Sequence, residues 1–263
     1  MNFRVVKALV IKYALIWSRT GFRIMDVFFW PVIDLLVWGF VTVYMLKVGN
    51  VVPTLITFLI AAIILWNILY RSQQVVCVSS LDDVWSRNLL NIFASPIRTS
   101  EYVAATYFVG LVQSLIVMCV LGTLAFCLYS FNFLTLGLSV GLLFGNLLLM
   151  GWAMGIFTTG FILRYGPPAE GLAWALPFLV QPVSAVFYPV SVLPTWLQPV
   201  AWCVPSTYVF EGLRQFIAQG HMDFRYIQEA FLLNVVYMIV CAFVFHILLE
   251  QARQMGYLAK YGT

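Results

Sequence analysis

The run LITFLIAAIILW, residues 55–66, carries no charge, and it leaves the chain few options. Extended to about twenty residues, such a stretch crosses the ~30 Å hydrocarbon core of a bilayer as a helix. A strand of a membrane barrel would alternate apolar and polar residues with period two, and this run does not alternate. Similar runs recur through all 263 residues, of which only 9% are charged, against about 25% in soluble domains. With a mean hydropathy of +0.96, the chain reads as an all-α, polytopic membrane protein. Its five cysteines, at 77, 119, 127, 203 and 241, include no CxxC pair. Buried structural thiols are expected rather than a disulfide framework or a metal site.

Six transmembrane helices are expected, at roughly 26–46, 54–77, 102–129, 134–162, 171–189 and 228–249. Lysine and arginine set the orientation. Arg4, Lys7, Lys12, Arg19 and Arg23 precede the first span, Arg87 and Arg98 follow the second, and Arg164 follows the fourth. Arg253 and Lys260 follow the sixth, whereas the opposite side holds only Lys47, Arg214 and Arg225. Both termini are therefore expected in the cytoplasm, with the protein in the plasma membrane, the inner membrane of a bacterium. Lys7 and Lys12 interrupt the first apolar stretch and no small-residue cleavage site follows, so no signal peptide is expected.

Residues 3–23 are predicted to form an amphipathic helix lying along the membrane surface. Arg4, Lys12, Arg19 and Arg23 fall within an arc of about 100°, opposite Phe3, Val6, Val10, Tyr13 and Trp17. The basic side can face lipid phosphates or a partner protein. The expected division is an interface helix over 1–25 and a membrane domain over 26–263. In the fourth span Gly137, Gly141 and Gly145, then Gly151 and Gly155, offer small faces for internal packing or for a second copy. Between the fifth and sixth spans Pro189, Pro194, Pro199 and Pro205 punctuate an apolar stretch. No straight helix tolerates that density of proline. Short helices starting near Thr195 and Ser206 are expected, in an outer re-entrant hairpin at about 190–220.

The segment after the second span is too long for a mere connector. Ser79 and Ser80 stand three residues before Asp82 and Asp83, a doubled capping-box pattern. A helix is predicted over about 80–93, stopped by Ser95-Pro96 because the residue before proline avoids helical angles. Ser100, followed by Glu101, is placed to cap the third span. Asp82, Asp83 and Arg87 would form the polar side of the inserted helix, and Leu81, Trp85 and Leu89 the side facing lipid or a docking cleft.

In this order the features resemble the ABC type-2 exporter permeases, a family of polysaccharide, lipid and drug exporters. The stretches NIFASPIRTSEYVAATY and FYPVSVLPTWLQPVAWCVPSTYVFEGLRQ carry the resemblance most specifically. It implies a half-transporter, two copies of which form a twelve-helix pathway, each docked on a separate ATP-hydrolysing subunit. It also implies that the helix at 80–93 is a coupling helix, with Leu81, Asp82, Asp83, Trp85, Arg87 and Leu89 meeting the ATPase. The sequence has no GxxxxGK[ST] phosphate loop. No cofactor is expected on this chain; ATP and magnesium would bind the partner subunit.

Ionisable residues inside spans are costly and point to function or pairing. Asp34 and Arg71 are expected at similar depth and are predicted to pair. Glu211 and Arg214, one turn apart, are predicted to pair on one helix face, as an outer gate or as local support. His246 is expected in the core and His221 in an outer loop. Aromatic residues make up 17% of the chain and do not single out a substrate. Two other readings are an integral-membrane enzyme acting on lipids, which needs converging catalytic groups, and a non-transporting assembly factor.

Overall fold

The computed structural model describes residues 1–49, 53–133 and 137–255. Lys260 and the expected start of the fourth span at 134 lie outside the described residues. The architecture is all-helical, and α3 (Pro53–Trp85) is its axis. From Phe58 to Leu69 every side chain of α3 is buried, because a helix that is apolar all round needs neighbours on every side. These are α2 (Gly21–Val48), α5 (Thr99–Tyr129) and α6 (Leu138–Tyr165). The approach of α6 is close enough to require glycine. A Cβ on Gly151 would lie 2.7 Å from the Leu69 carbonyl oxygen, and one on Gly155 2.6 Å from Val76 Cβ. Gly141 and Gly145 have open space instead, so only the later glycines serve internal packing.

The N-terminal helix α1 (Phe3–Arg19) is capped by the Asn2 side chain, which accepts from the Arg4 N–H. Leu9, Tyr13 and Trp17, each four residues apart, form its buried row. The helix is shorter than predicted: Thr20 is extended and α2 begins at Gly21, so Arg23 belongs to α2.

Among the described residues five helices are long and apolar enough to cross a membrane: Gly21–Met45, Thr54–Trp85, Thr99–Tyr129, Ser139–Tyr165 and Phe224–Gln254. The expected sixth, over 171–189, is not one helix. α7 (Gly171–Val180) gives way to a single 3₁₀ turn, Gln181–Val183, where Pro177, Pro182 and Pro189 deplete the chain of amide donors. The path still has to return here. α6 and α10 (Phe224–Gln254) run parallel, with Asn146 beside Asn234 and Arg164 beside Gln251. Residues 166–223 must therefore lead from one end of the bundle back to the other.

Beyond the break lie α8 (Gln198–Trp202) and α9 (Pro205–Gln219). α9 starts beside Ser206 as expected, but the Ser206 hydroxyl does not cap it. Ser206 Oγ donates to Ser184 Oγ at 2.8 Å and Thr207 Oγ1 to the Val183 carbonyl at 2.9 Å, stitching α9 to the turn after α7. Two further expectations fail. Cys119, Cys127 and Cys203 are exposed, leaving only Cys77 and Cys241 buried, and His246 lies on an exposed face of α10. A bundle in which α2, α5 and α10 keep outward faces turns many apolar positions outward, so hydrophobicity alone does not mark the core.

Candidate functional site

The two aspartates after the second span sit inside the last turn of α3, not at the start of a new helix. Ser79 Oγ donates back to the Val75 carbonyl at 2.6 Å and Ser80 Oγ to that of Val76 at 3.4 Å. Both serines are fully buried. Breaking the helix there would strand buried backbone groups, so α3 continues to Trp85. It ends in a Schellman turn: Asn88 N–H donates to the Asp83 carbonyl, Arg87 N–H to that of Val84, and Arg87 takes φ +53°. The separate helix is only α4 (Leu89–Ala94), and it stops at Ser95 before Pro96 as predicted.

Asp83 is the centre of this end. Its carboxylate pairs with Lys12 of α1 and accepts from the Tyr13 hydroxyl at 2.8 Å and the Tyr102 hydroxyl at 3.2 Å. Tyr102 also lies 3.0 Å from Ser80 Oγ. Burial, then the neighbouring Tyr102 and the Asp83 carboxylate, raise the Tyr13 phenol far above its ordinary range, so it stays a donor. Asp82 pairs with Arg23, whose guanidinium lies 5.6 Å from the Trp17 ring and 5.6 Å from the Trp85 ring. Glu101 joins α5 to the same knot, accepting from the Arg98 N–H at 3.0 Å and from the Asn2 N–H. The cap expected from Ser100 is thus made by Glu101 one turn inside a helix that starts at Thr99. Three helices meet on one carboxylate.

The predicted coupling face is therefore split. Leu81, Asp83 and Leu89 are fully buried and Asp82 is mostly covered, while Trp85 and Arg87 are exposed. Arg253, near the end of α10, reaches Thr99 at the start of α5, so the close of α10 lies at this end of the bundle too.

The predicted Asp34–Arg71 pair is not formed. Arg71 pairs with Asp26 at 3.3 Å and donates to the Asp26 carbonyl at 2.8 Å. Asp34 accepts from Asn67 at 3.0 Å. The ends of α2 and α3 do not fix their register: Arg71 comes level with Asp26, and Asn67, one turn earlier on α3, with Asp34. Asp26 also keeps its side chain 33% exposed, so pairing there desolvates one carboxylate less.

Two glutamines outside the expected site, Gln73 and Gln74, have a clear task. Pro177 has no N–H to give to Ala173, four residues before it. Gln74 Nε2 donates to the orphaned Ala173 carbonyl at 2.6 Å and Gln73 Nε2 at 3.2 Å. The signal was legible: adjacent amides in one apolar span and a proline in another.

At the opposite end Glu211 and Arg214 pair at 2.8 Å as predicted. Glu211 also accepts from the Val190 N–H at 2.8 Å, and Arg214 donates to the Ala185 carbonyl at 3.0 Å. Ala185 is buried with φ +54°, a left-handed residue the clamp holds in place. The Arg214 guanidinium sits 4.3 Å from the Phe58 ring of α3. Among the described residues no group of three metal-ligating side chains occurs.

Comparison with known proteins adds one finding. The family model described as ABC-2 type transporter matches residues 12–218. No curated protein matches the chain.

Proposed function

From membership of the ABC-2 type transporter family, to which this chain belongs, we propose that it is the membrane-spanning permease subunit of an ATP-driven exporter. In this reading two copies form the pathway and each engages a separate ABC ATPase, which binds ATP and magnesium. Both termini lie in the cytoplasm of a cell whose plasma membrane, the inner membrane in a bacterium, holds the protein. The broken segment α7 to α9 acts as a sixth crossing that ends in an outer re-entrant hairpin.

One observation carries the mechanism. α3 runs unbroken from Phe58, under the Arg214 clamp, to Asp83 at the end where α1 pairs with it and the close of α10 reaches α5. Its 33 residues make a rod about 50 Å long. A push on α4, with Trp85 and Arg87 exposed beside it, reaches α1, α3 and α5 together through Asp83, because three donors share that carboxylate. The same rod ends beneath the hairpin, where Glu211 and Arg214 serve as the outer gate. Leu81 and Leu89 anchor the coupling segment from within, and Asp82 does so through Arg23.

The test is reconstitution. The chain, co-expressed with an ABC ATPase encoded beside it, should co-purify and show ATP hydrolysis that a transported lipid, glycan or drug stimulates. Absence of any associated ATPase, or hydrolysis indifferent to the permease, would overturn the reading in favour of an assembly factor.

A further inference from the structure

Where α8 ends and α9 turns into α10, an open pocket of about 400 Å³ lies at the end of the bundle away from Asp83. That volume falls within the ~300–1,000 Å³ of small-molecule sites. Its frame is held without any ligand. Asp223 caps α10, its carboxylate accepting from the Arg225 N–H at 2.9 Å, and its own N–H donates to Gln215 Oε1 at 2.8 Å. The Tyr237 hydroxyl donates to the Cys203 carbonyl at 3.2 Å and so ties the end of α8 to α10. Gly212 lets α9 close on this corner, since a Cβ there would lie 3.1 Å from Tyr226 Cβ. The other lining groups are not spent on the fold. The Trp202 and Tyr208 rings lie 5.0 Å apart, tilted by 59°, and make an angled apolar corner. Among the described residues the Trp202 indole N–H and the Tyr208 and Tyr226 hydroxyls have no hydrogen-bond partner. Glu229 faces Arg225 at 3.7 Å, too long for a hydrogen bond, and its carboxylate accepts none among the described residues. Burial, then the nearby Glu229 charge, raise the Tyr208 phenol, so that hydroxyl stays a donor.

We propose that this pocket binds one neutral pyranose ring, free or at the end of a glycan chain. The C–H face of the sugar packs on the Trp202–Tyr208 corner. Its hydroxyls donate to Glu229 and accept from Arg225, the Trp202 N–H and the Tyr226 hydroxyl. Other ligand chemistries fit less well. A purely apolar molecule would leave these donors and acceptors unpaired. A phosphate or an acidic sugar would meet the Asp223 and Glu229 carboxylates, and an organic cation would meet the Arg225 guanidinium. Neutral hydroxyls serve the donors and the acceptors alike. The proposal rests on the exporter reading only for the side of the membrane that the pocket faces, the outer one.

The experiment is saturation-transfer-difference NMR on the full chain in a detergent without a sugar headgroup, since a maltoside would compete. The probes are methyl glucoside, methyl galactoside and N-acetylglucosamine, each beside a linear tetrasaccharide of the same sugar. Tetramethylammonium and inorganic phosphate serve as competitors. At least one sugar should receive saturation, strongest at the protons of one ring face. Trp202→Ala removes the platform and should lower that signal at least threefold. Glu229→Gln keeps the side chain's shape, so it tests the site without disturbing the fold, and should lower the signal at least twofold. Phe231→Ala, 51% exposed on the same helix and outside the pocket, should leave it unchanged. A tetrasaccharide that binds more tightly than its monosaccharide supports the site as one for a glycan chain, and equal affinity supports it as one for a free sugar. Transfer to no sugar, a signal unchanged in both Trp202→Ala and Glu229→Gln, or displacement of the sugar by tetramethylammonium or phosphate would overturn the proposal. Since the readout needs no ATPase, it can fail while the exporter reading stands, and the reverse.

Discussion

At the Asp83 end, α3 is tied to Lys12, 71 residues away in sequence, and to Tyr102 on a third helix. At the Phe58 end it is gripped by Glu211 and Arg214, three residues apart on one helix. The first arrangement shares one buried carboxylate among side chains of three helices, so no helix can move without the others. The second grips backbone, the Val190 N–H and the Ala185 carbonyl, and can let go of a loop while its own pair stays intact. A rod fixed firmly at one end and clamped at the other suits the proposed transmission from α4 to the segment between α7 and α9.

The contrast is broken most directly by removing the shared carboxylate. Asp83→Ala leaves Lys12 without its partner and two tyrosines without an acceptor. It should lower stability by roughly 2–4 kcal/mol, below the 3–5 typical of fully buried pairs because Lys12 keeps some solvent access. Denaturant unfolding in detergent measures this, and α1 should lose amide protection together with the starts of α2 and α5. Arg214→Ala comes next, at about 1–3 kcal/mol, from the lost carbonyl bond, ion pair and ring contact. Its hydrogen-exchange change should be confined to residues 183–193 and α9. If α1 loosens equally, the two ends are not independent.

The middle of α3 sharpens the comparison. Gln74→Leu removes the shorter donor to the Ala173 carbonyl and should cost about 1–2 kcal/mol. Pro177→Ala, which restores an N–H to that carbonyl, should recover part of the loss in a double-mutant cycle. The smallest effect is expected for Tyr13→Phe, about 1 kcal/mol at neutral pH. The Tyr13 phenol is raised in the folded protein, so its stabilisation is complete below the ordinary phenol value near 10 and is lost as pH climbs above it. Unfolding measured from pH 8 to 11 should therefore fall more steeply at the alkaline end for the native chain than for Tyr13→Phe.

The same contrast explains what could be read from the sequence. The Glu211–Arg214 pair was legible because both residues stand on one helix at a fixed spacing. The Ser-Pro stop at 95–96 was legible because its sterics are local. The start expected at Ser79–Ser80 failed because the capping pattern said nothing of how deeply that turn is buried. The Asp34–Arg71 match failed because depth counted from helix ends does not fix the register between two helices, which sets Arg71 against Asp26. The fifth span was expected whole because its apolar content outweighed its prolines, which decide where a helix can continue. The family resemblance held over residues 12–218, since order and spacing of motifs survive errors of a turn at any boundary.

The central claim is that force enters at the α3–α4 end. Photo-crosslinking from position 85, against position 196, 73% exposed before α8, tests it in complex with the proposed ABC ATPase. Adducts to the ATPase from position 85 and none from 196 are the expected result. Adducts from 196, or none from 85 while the complex hydrolyses ATP, would contradict it.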